Sequence, residues 1–271
     1  DGQQALWGMR MTAGMALPVA PIIDRTGYST IDLTASSLFE VLVRSCRENP
    51  WDGMDLLVQA MPRTPKRAGM RSNAAVSFGV TPDALMDAWM RQLAVHGCRS
   101  FWVYDVLFNI DKMLRLAKVS KEFGATCAGA LMFTLSPVHT DEYYADKVKK
   151  LAASPDIDSI LIYDTAGVLE KERLSTLVPA LIAEARGKPI ELHANNILGQ
   201  SGTAYLDAVD LGVTVLHTST RPLANGPAVP SVQMFAHNLE MLGHTHDLDL
   251  SLLPPVADHF EKVGRAAGYL I

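Results

Sequence analysis

Short apolar runs rich in β-branched and aromatic residues alternate with longer amphipathic stretches from one end of the chain to the other. The runs predict strands over 29–33, 66–70, 100–104, 126–132, 159–163, 189–193 and 213–217. The stretches that follow them predict helices over 82–95, 110–123, 140–153, 170–186 and 199–211, and another over 232–242. Gly97, Gly124, Gly187 and Gly212 stand where a helix must stop before the next strand begins, the usual place for a residue of left-handed conformation. Seven strands, with one more ending at Asp1, make eight. Near-continuous apolar strands joined by crossover helices specify a parallel sheet covered on both faces. The predicted fold class is therefore α/β, a (β/α)8 TIM barrel over residues 1–243, with a C-terminal helical extension over 244–271 that carries Pro254-Pro255 and one further amphipathic helix. An open doubly wound sheet is the alternative. No Gly-x-Gly-x-x-Gly follows any strand, which counts against dinucleotide binding. The chain opens at Asp1 without a methionine, so the first strand is expected to be cut short before residue 1.

Composition narrows the function classes. With 271 residues, 48% of them hydrophobic, the chain suits one large domain. A formal net charge of -5, with Lys and Arg scattered, leaves no electrostatic footprint for nucleic acid or an anionic membrane. No apolar stretch approaches the roughly 20 residues of a membrane span and no charged-then-apolar leader opens the chain, so a cytoplasmic protein handling small molecules is expected. Cys46, Cys98 and Cys127 cannot all pair and show no Cys-x-x-Cys spacing, in keeping with a reducing compartment. The twelve methionines, Met9, Met11 and Met15 near the start among them, are scattered rather than striped and read as gap-filling core residues.

In a barrel of this kind reactive groups lie just past the C-terminal ends of the strands. The polar residues at those junctions are Asp1, Gln4, Asp32, Arg71, Asp105, Tyr163, Asp164, Glu191, His193, Asn195, His217 and Thr218. In Glu191-Leu192-His193-Ala194-Asn195 the three polar side chains share one strand face. They offer two oxygens and a nitrogen, a set suited to Mg, Mn or a borderline metal, or else a hydrogen-bonded polar strand end. His244-Thr245-His246-Asp247 has metal-like composition but falls in a Gly- and Asp-bearing turn and reads as exposed. Gly187-Lys188-Pro189 lacks the remaining residues of a phosphate loop.

Several motifs occur in one order: Asp-Gly-Gln-Gln-Ala-Leu-Trp at 1–7 with Arg10, Asn49-Pro50-Trp51, Ser136-Pro137-Val138-His139-Thr140 with Glu142-Tyr143-Tyr144, and Asp164-Thr165-Ala166-Gly167. Together they resemble the carboxyltransferase domains of pyruvate carboxylase, oxaloacetate decarboxylase and transcarboxylase, barrels related to HMG-CoA lyase. The resemblance covers nearly the whole chain. It implies an eight-stranded barrel that pairs into a homodimer, and a divalent metal (Mn, Zn or Mg) held by Asp1, His193, the residue at 195 and a carboxylated lysine at 163. This chain carries Asn195 and Tyr163 at the last two positions, so metal binding is expected to be weakened, with Glu191 near enough to compensate. The arginine that holds a 2-oxo acid carboxylate aligns with Met70, one residue from Arg71, and a one-residue shift in a strand turns a side chain to the other face. A proton-shuttling threonine that serves biotin aligns with Pro227, which has no hydroxyl, so biotin is not expected.

By that resemblance the chain is expected to be a diverged enzyme that makes or breaks a carbon-carbon bond beside a carbonyl through an enolate, by carboxyl transfer, decarboxylation or aldol-type chemistry. The catalytic candidates are Tyr163, Gln4 and Asp105, the substrate-binding candidates Gln4, Arg71 and Thr218, and the metal candidates Asp1, His193 and Asn195. A small 2-oxo acid or acyl thioester is the expected substrate. The alternative is a catalytically silent subunit that keeps the barrel for assembly with a partner.

Overall fold

A computed structural model of the protein describes residues 1–269. The chain enters through three short helices, α1 (Gly2–Leu6), α2 (Ala13–Ala16) and α3 (Ala20–Ile23). Strands and helices then alternate: β1 (Ile31–Ala35), α4 (Ser36–Val41), α5 (Pro50–Ala60), β2 (Lys66–Arg71), α6 (Asp83–Val95), β3 (Cys98–Tyr104), α7 (Ile110–Lys121), β4 (Thr126–Met132), α8 (Asp141–Ala152), β5 (Ser159–Asp164), α9 (Lys171–Glu184), β6 (Ile190–Ala194), α10 (Ser201–Asp210), β7 (Val215–Leu216), α11 (Val232–Met241) and α12 (Leu253–Ala266). All seven strands pair in parallel in sequence order. The four predicted helix-ending glycines all take positive φ.

The sheet is curled. Side by side on a flat sheet at ~4.8 Å per strand, β1 and β7 would stand roughly 29 Å apart. Instead His217 Nδ1, just past β7, lies 4.0 Å from Asp32 Oδ2 of β1, and Arg67 of β2 reaches Glu191 of β6. β7 was expected over 213–217 but holds only two residues, because it has β6 as its single neighbour. β1 begins two residues later than expected, and its pairing with β2 slips between Asp32 and Thr34.

Alternation along each strand builds two cores. Outward residues such as Met70, Phe101, Leu131, Ile160, Ile162 and Leu192 pack under the helices. Inward residues Trp102, Ala128, Ala130, Leu161 and Tyr163 fill the space the sheet encloses. Trp102 stands in register with Gly69 on one side and Ala128 on the other, small residues that leave room for its indole. A third cluster, Trp7, Val19, Leu223, Val256 and Phe260, ties α12 to the start of the chain.

The Asn49-Pro50-Trp51 motif starts α5: Asn49 caps the helix by accepting from the Trp51 amide, and Pro50 takes the first turn, where no backbone donor is needed. Of the methionines read as core, Met9, Met11 and Met15 are only half-buried, while Met54, Met61, Met70, Met86, Met90 and Met113 do the filling. Among the described residues no helix is long and apolar enough to cross a membrane.

Candidate active site

The C-terminal ends of the strands surround a pocket open to solvent. Arg71, Trp102, Tyr104, Tyr163 and His193 line it from the strands, and Asp1 and Gln4 from the chain's start.

Asp1, His193 and Asn195 meet there. His193 Nε2 is 3.8 Å from Asp1 Oδ1, and Asn195 Nδ2 donates to Asp1 Oδ2 at 3.2 Å and to the Pro227 carbonyl at 2.6 Å. The Val229 amide donates to Asp1 Oδ2 as well, at 3.2 Å. Both partners of Nδ2 are acceptors, which dictates the side of the amide that faces them. Asn195 therefore clamps Asp1 with its nitrogen and turns its oxygen elsewhere. His193 is buried, and its Nε2 has no partner. Loss of solvent, reinforced by His217, holds its imidazole well below the usual range.

Tyr163 stands edge-on to Trp102 and to His193, each with ring centroids 4.8 Å apart. Among the described residues no hydrogen bond engages its hydroxyl, which opens toward the mouth. Burial first, then the neighbouring Tyr104 and Asp32, raise this phenol above its ordinary value of ~10, so it stays a neutral donor.

Arg71 faces the mouth and Met70 lies fully buried on the opposite side, so the alternation of β2 puts the arginine inward without any irregularity at its end. Its guanidinium stacks on Phe78 at 4.2 Å and donates to Ser37 Oγ at 3.3 Å and the Ser77 carbonyl at 3.2 Å, leaving further N–H groups free. Gln4 is exposed at the rim. Thr34 Oγ1, Ser36 Oγ and Trp102 Nε1 are buried at the same wall without partners.

Other candidates fall elsewhere. Asp105 does not reach the pocket: its carboxylate accepts from Ser72 Oγ and from the Leu107 amide at 2.8 Å, bracing the loop after β3. Thr218 lines a neighbouring cleft between β1 and β7. Glu191 is not free to compensate for a lost ligand, because it accepts from Arg67 at 2.7 Å and from Ser159. Asp164 accepts from the amides of Ala166, Gly167 and Leu169, so the Asp-Thr-Ala-Gly motif is a turn that carries Tyr163 beside β6. His244 and His246 pair with Asp210 and Glu240 at 3.3 Å each. The aromatic wall of Trp102 and Tyr104, and the interior pair Arg67 and His217, were not among the catalytic and binding candidates. The available signal was alternation: Arg67, Ser100, Thr126, Ser159 and Glu191 interrupt otherwise apolar strands.

The chain is 29% identical to a pyruvate carboxylase subunit of Methanocaldococcus jannaschii over 263 residues, which cover 97% of this chain and 46% of that protein. It is 25% identical to the methylmalonyl-CoA carboxyltransferase 5S subunit of Propionibacterium freudenreichii subsp. shermanii over 265 residues, 97% of this chain and 52% of that one. Along nearly its whole length this chain is thus similar to subunits of carboxyltransferase-type enzymes. It spans about half the length of the curated relatives it matches. The carboxyl transferase domain of Rhizobium etli pyruvate carboxylase, solved with pyruvate, shares its fold with a TM-score of 0.90 at 24% identity, covering 97% of this chain and 45% of that one. No family model matches the chain.

The metal positions implied by the resemblance are populated unevenly in this chain. Asp1 and the bare Nε2 of His193 suit a cation. Asn195 presents one N–H to Asp1 and the other to the Pro227 carbonyl, and Tyr163 presents a neutral phenol, so these two do not complete the set. Among the described residues no three His, Cys, Asp or Glu side chains are grouped to hold a metal.

Proposed function

We propose that this chain is a diverged carboxyltransferase-type enzyme that makes or breaks a carbon-carbon bond beside a carbonyl of a small 2-oxo acid or acyl thioester. The fold is read as a (β/α)8 barrel, whose eighth strand would lie between β7 and β1. One observation carries the functional reading: an unpartnered, neutral Tyr163 hydroxyl opens onto the same pocket as the Arg71 guanidinium and Gln4. In this reading Arg71 holds the substrate carboxylate, a charge-assisted contact that sets the substrate's orientation. Gln4 contacts the same end of the substrate from the rim. As the neighbouring carbon releases its carboxyl group as carbon dioxide, or gives its proton to a solvent water, the electron pair of the broken bond moves toward the carbonyl oxygen. Tyr163 donates a hydrogen bond to that oxygen, and such a preorganised donor in a dry site stabilises the developing enolate. Trp102 and Tyr104 keep water from the carbanion face.

Enolate formation is measurable without any second substrate, as exchange of solvent deuterium into the carbon beside the carbonyl. Incubating the chain with pyruvate, other 2-oxo acids and acyl thioesters should reveal one that exchanges. Tyr163→Phe should then slow exchange by ~100-fold, the scale of losing one such donor, and Arg71→Ala should raise KM for a substrate with a carboxylate. Absence of exchange across the panel would favour a catalytically silent subunit.

A further inference from the structure

Behind the mouth a line of polar side chains runs through the enclosed space without a part in the proposed reaction. Ser159 donates to Glu191 Oε1, and Arg67 donates to Glu191 Oε2 at 2.7 Å. His217 Nε2 lies 3.0 Å from the same Oε2 and 3.3 Å from Arg67 Nη1. His217 Nδ1 lies 3.2 Å from Nδ1 of His193. Four of these side chains are almost wholly enclosed, with relative exposures of 6% for Arg67 and Glu191, 9% for His217 and 4% for His193.

Counting protons along this line leaves one consistent arrangement for neutral rings. The Glu191 carboxylate can only accept, and it is the nearer partner of His217 Nε2, so Nε2 must carry its hydrogen. A neutral imidazole has one N–H, which makes His217 Nδ1 an acceptor. Among the described residues the hydrogen-bond partner it has is His193 Nδ1, 3.2 Å away, which must then carry the hydrogen. His193 then has no hydrogen on Nε2. A second, independent fact agrees: among the described residues His193 Nε2 is buried and unpartnered, with Asp1 Oδ1 at 3.8 Å, beyond hydrogen-bond reach. An N–H there would be an orphaned donor, which folded proteins tolerate less often than an acceptor short of a partner.

We infer that Glu191 and His217 are positioning residues that hold His193 in its Nδ1–H form and present an unprotonated Nε2 to the mouth. A nitrogen so presented can accept a proton from a bound molecule or hold a cation, and both uses need the tautomer selected from behind. The inference concerns the ring itself and does not depend on carboxyl transfer.

Proton–nitrogen correlation spectra of the imidazole rings test it, recorded on chelator-treated, nitrogen-15-labelled protein at about pH 8, above the ordinary imidazole value of ~6.5. The chain has eight histidines, and His193→Gln identifies the His193 signals by their loss. The expected spectrum has hydrogen on Nδ1 and an unprotonated Nε2. In His217→Phe, which keeps an aromatic ring but removes the acceptor, the His193 pattern should move toward a mixture of tautomers. Hydrogen on Nε2 in the wild type would overturn the inference, and so would a folded His217→Phe with an unchanged His193 pattern. Should that variant fail to fold, the wild-type spectrum decides alone. A chain inert in deuterium exchange yet carrying this tautomer would defeat the proposed function and leave the inference standing; the converse result would do the reverse.

Discussion

Asp24 shows how a buried charge is kept at the level of one residue. Burial alone would raise its carboxyl, but the amides of Thr64 at 2.8 Å and Arg63 at 3.0 Å outweigh it and hold the group below its ordinary value. A depressed carboxyl contributes stability above the unfolded value of ~3.9 and loses it as pH falls through the lower folded value. Asp24→Asn should therefore be less stable than wild type at neutral pH, with the gap closing below about pH 4. Urea denaturation from neutral to acid pH checks this, and a gap that stays constant would refute it. Asn195 and Tyr163 permit a second prediction. If their donors are what spoil the metal set, Asn195→His combined with Tyr163→Lys should bind Mn or Zn at least ~10-fold more tightly than wild type, the scale on which ligand quality tunes affinity. Equilibrium dialysis measures it, and equal binding would remove those residues as the cause.

At the level of elements, short motifs turn out to be joinery. Asn49 and Pro50 start α5, and loss of the cap should be visible: Asn49→Ala is expected to cost ~1 kcal/mol in thermal or chemical unfolding, with the pocket residues undisturbed. The turn after β5 is tighter. Gly167 takes φ +67°, and a Cβ there would run into the Asn195 backbone. Gly167→Ala combines positive φ with a collision against the strand that carries His193. A loss of roughly 1–3 kcal/mol is expected, together with altered His193 ring signals; a variant as stable as wild type would show that the turn yields. These roles could not be read from the motifs themselves, since an Asp that caps a turn and an Asp that does chemistry look alike in one sequence. Asp105 makes the same point. It ends a strand as a catalytic residue would, but the following backbone amide and Ser72 take its carboxylate.

For the whole molecule, large apolar side chains stand exposed on loops that follow the strands: Phe78 and Leu107, 80% and 86% exposed, and beyond them Val80, Val138 and Leu198. Such side chains mark an interaction face where they gather into one contiguous patch. Pairing into a homodimer is the expectation, and sedimentation at micromolar concentration checks it, a clean 29.5 kDa species counting against it. Asp1 and Asn195 are 194 positions apart, and Arg67 and Glu191 are 124, so each of these contacts closes only when the sheet has curled.

Period-two and period-3.6 patterning is local, which is why the order of strands and helices, the stopping glycines and the shared face of Glu191, His193 and Asn195 were all legible from residue types along the chain. The inward face of β2 was legible too in principle, because Arg67, Gly69 and Arg71 alternate with Ala68 and Met70. What local patterning does not contain is which polar atoms from distant strands meet. Only the curled sheet brought Arg67 and His217 to Glu191 and so took that carboxylate away from the mouth, turned the Asn195 amide nitrogen onto Asp1, and left the Tyr163 hydroxyl without a partner. Hydrogen bonds are decided over about 3 Å between groups of opposite character, and that distance is assigned by tertiary packing alone.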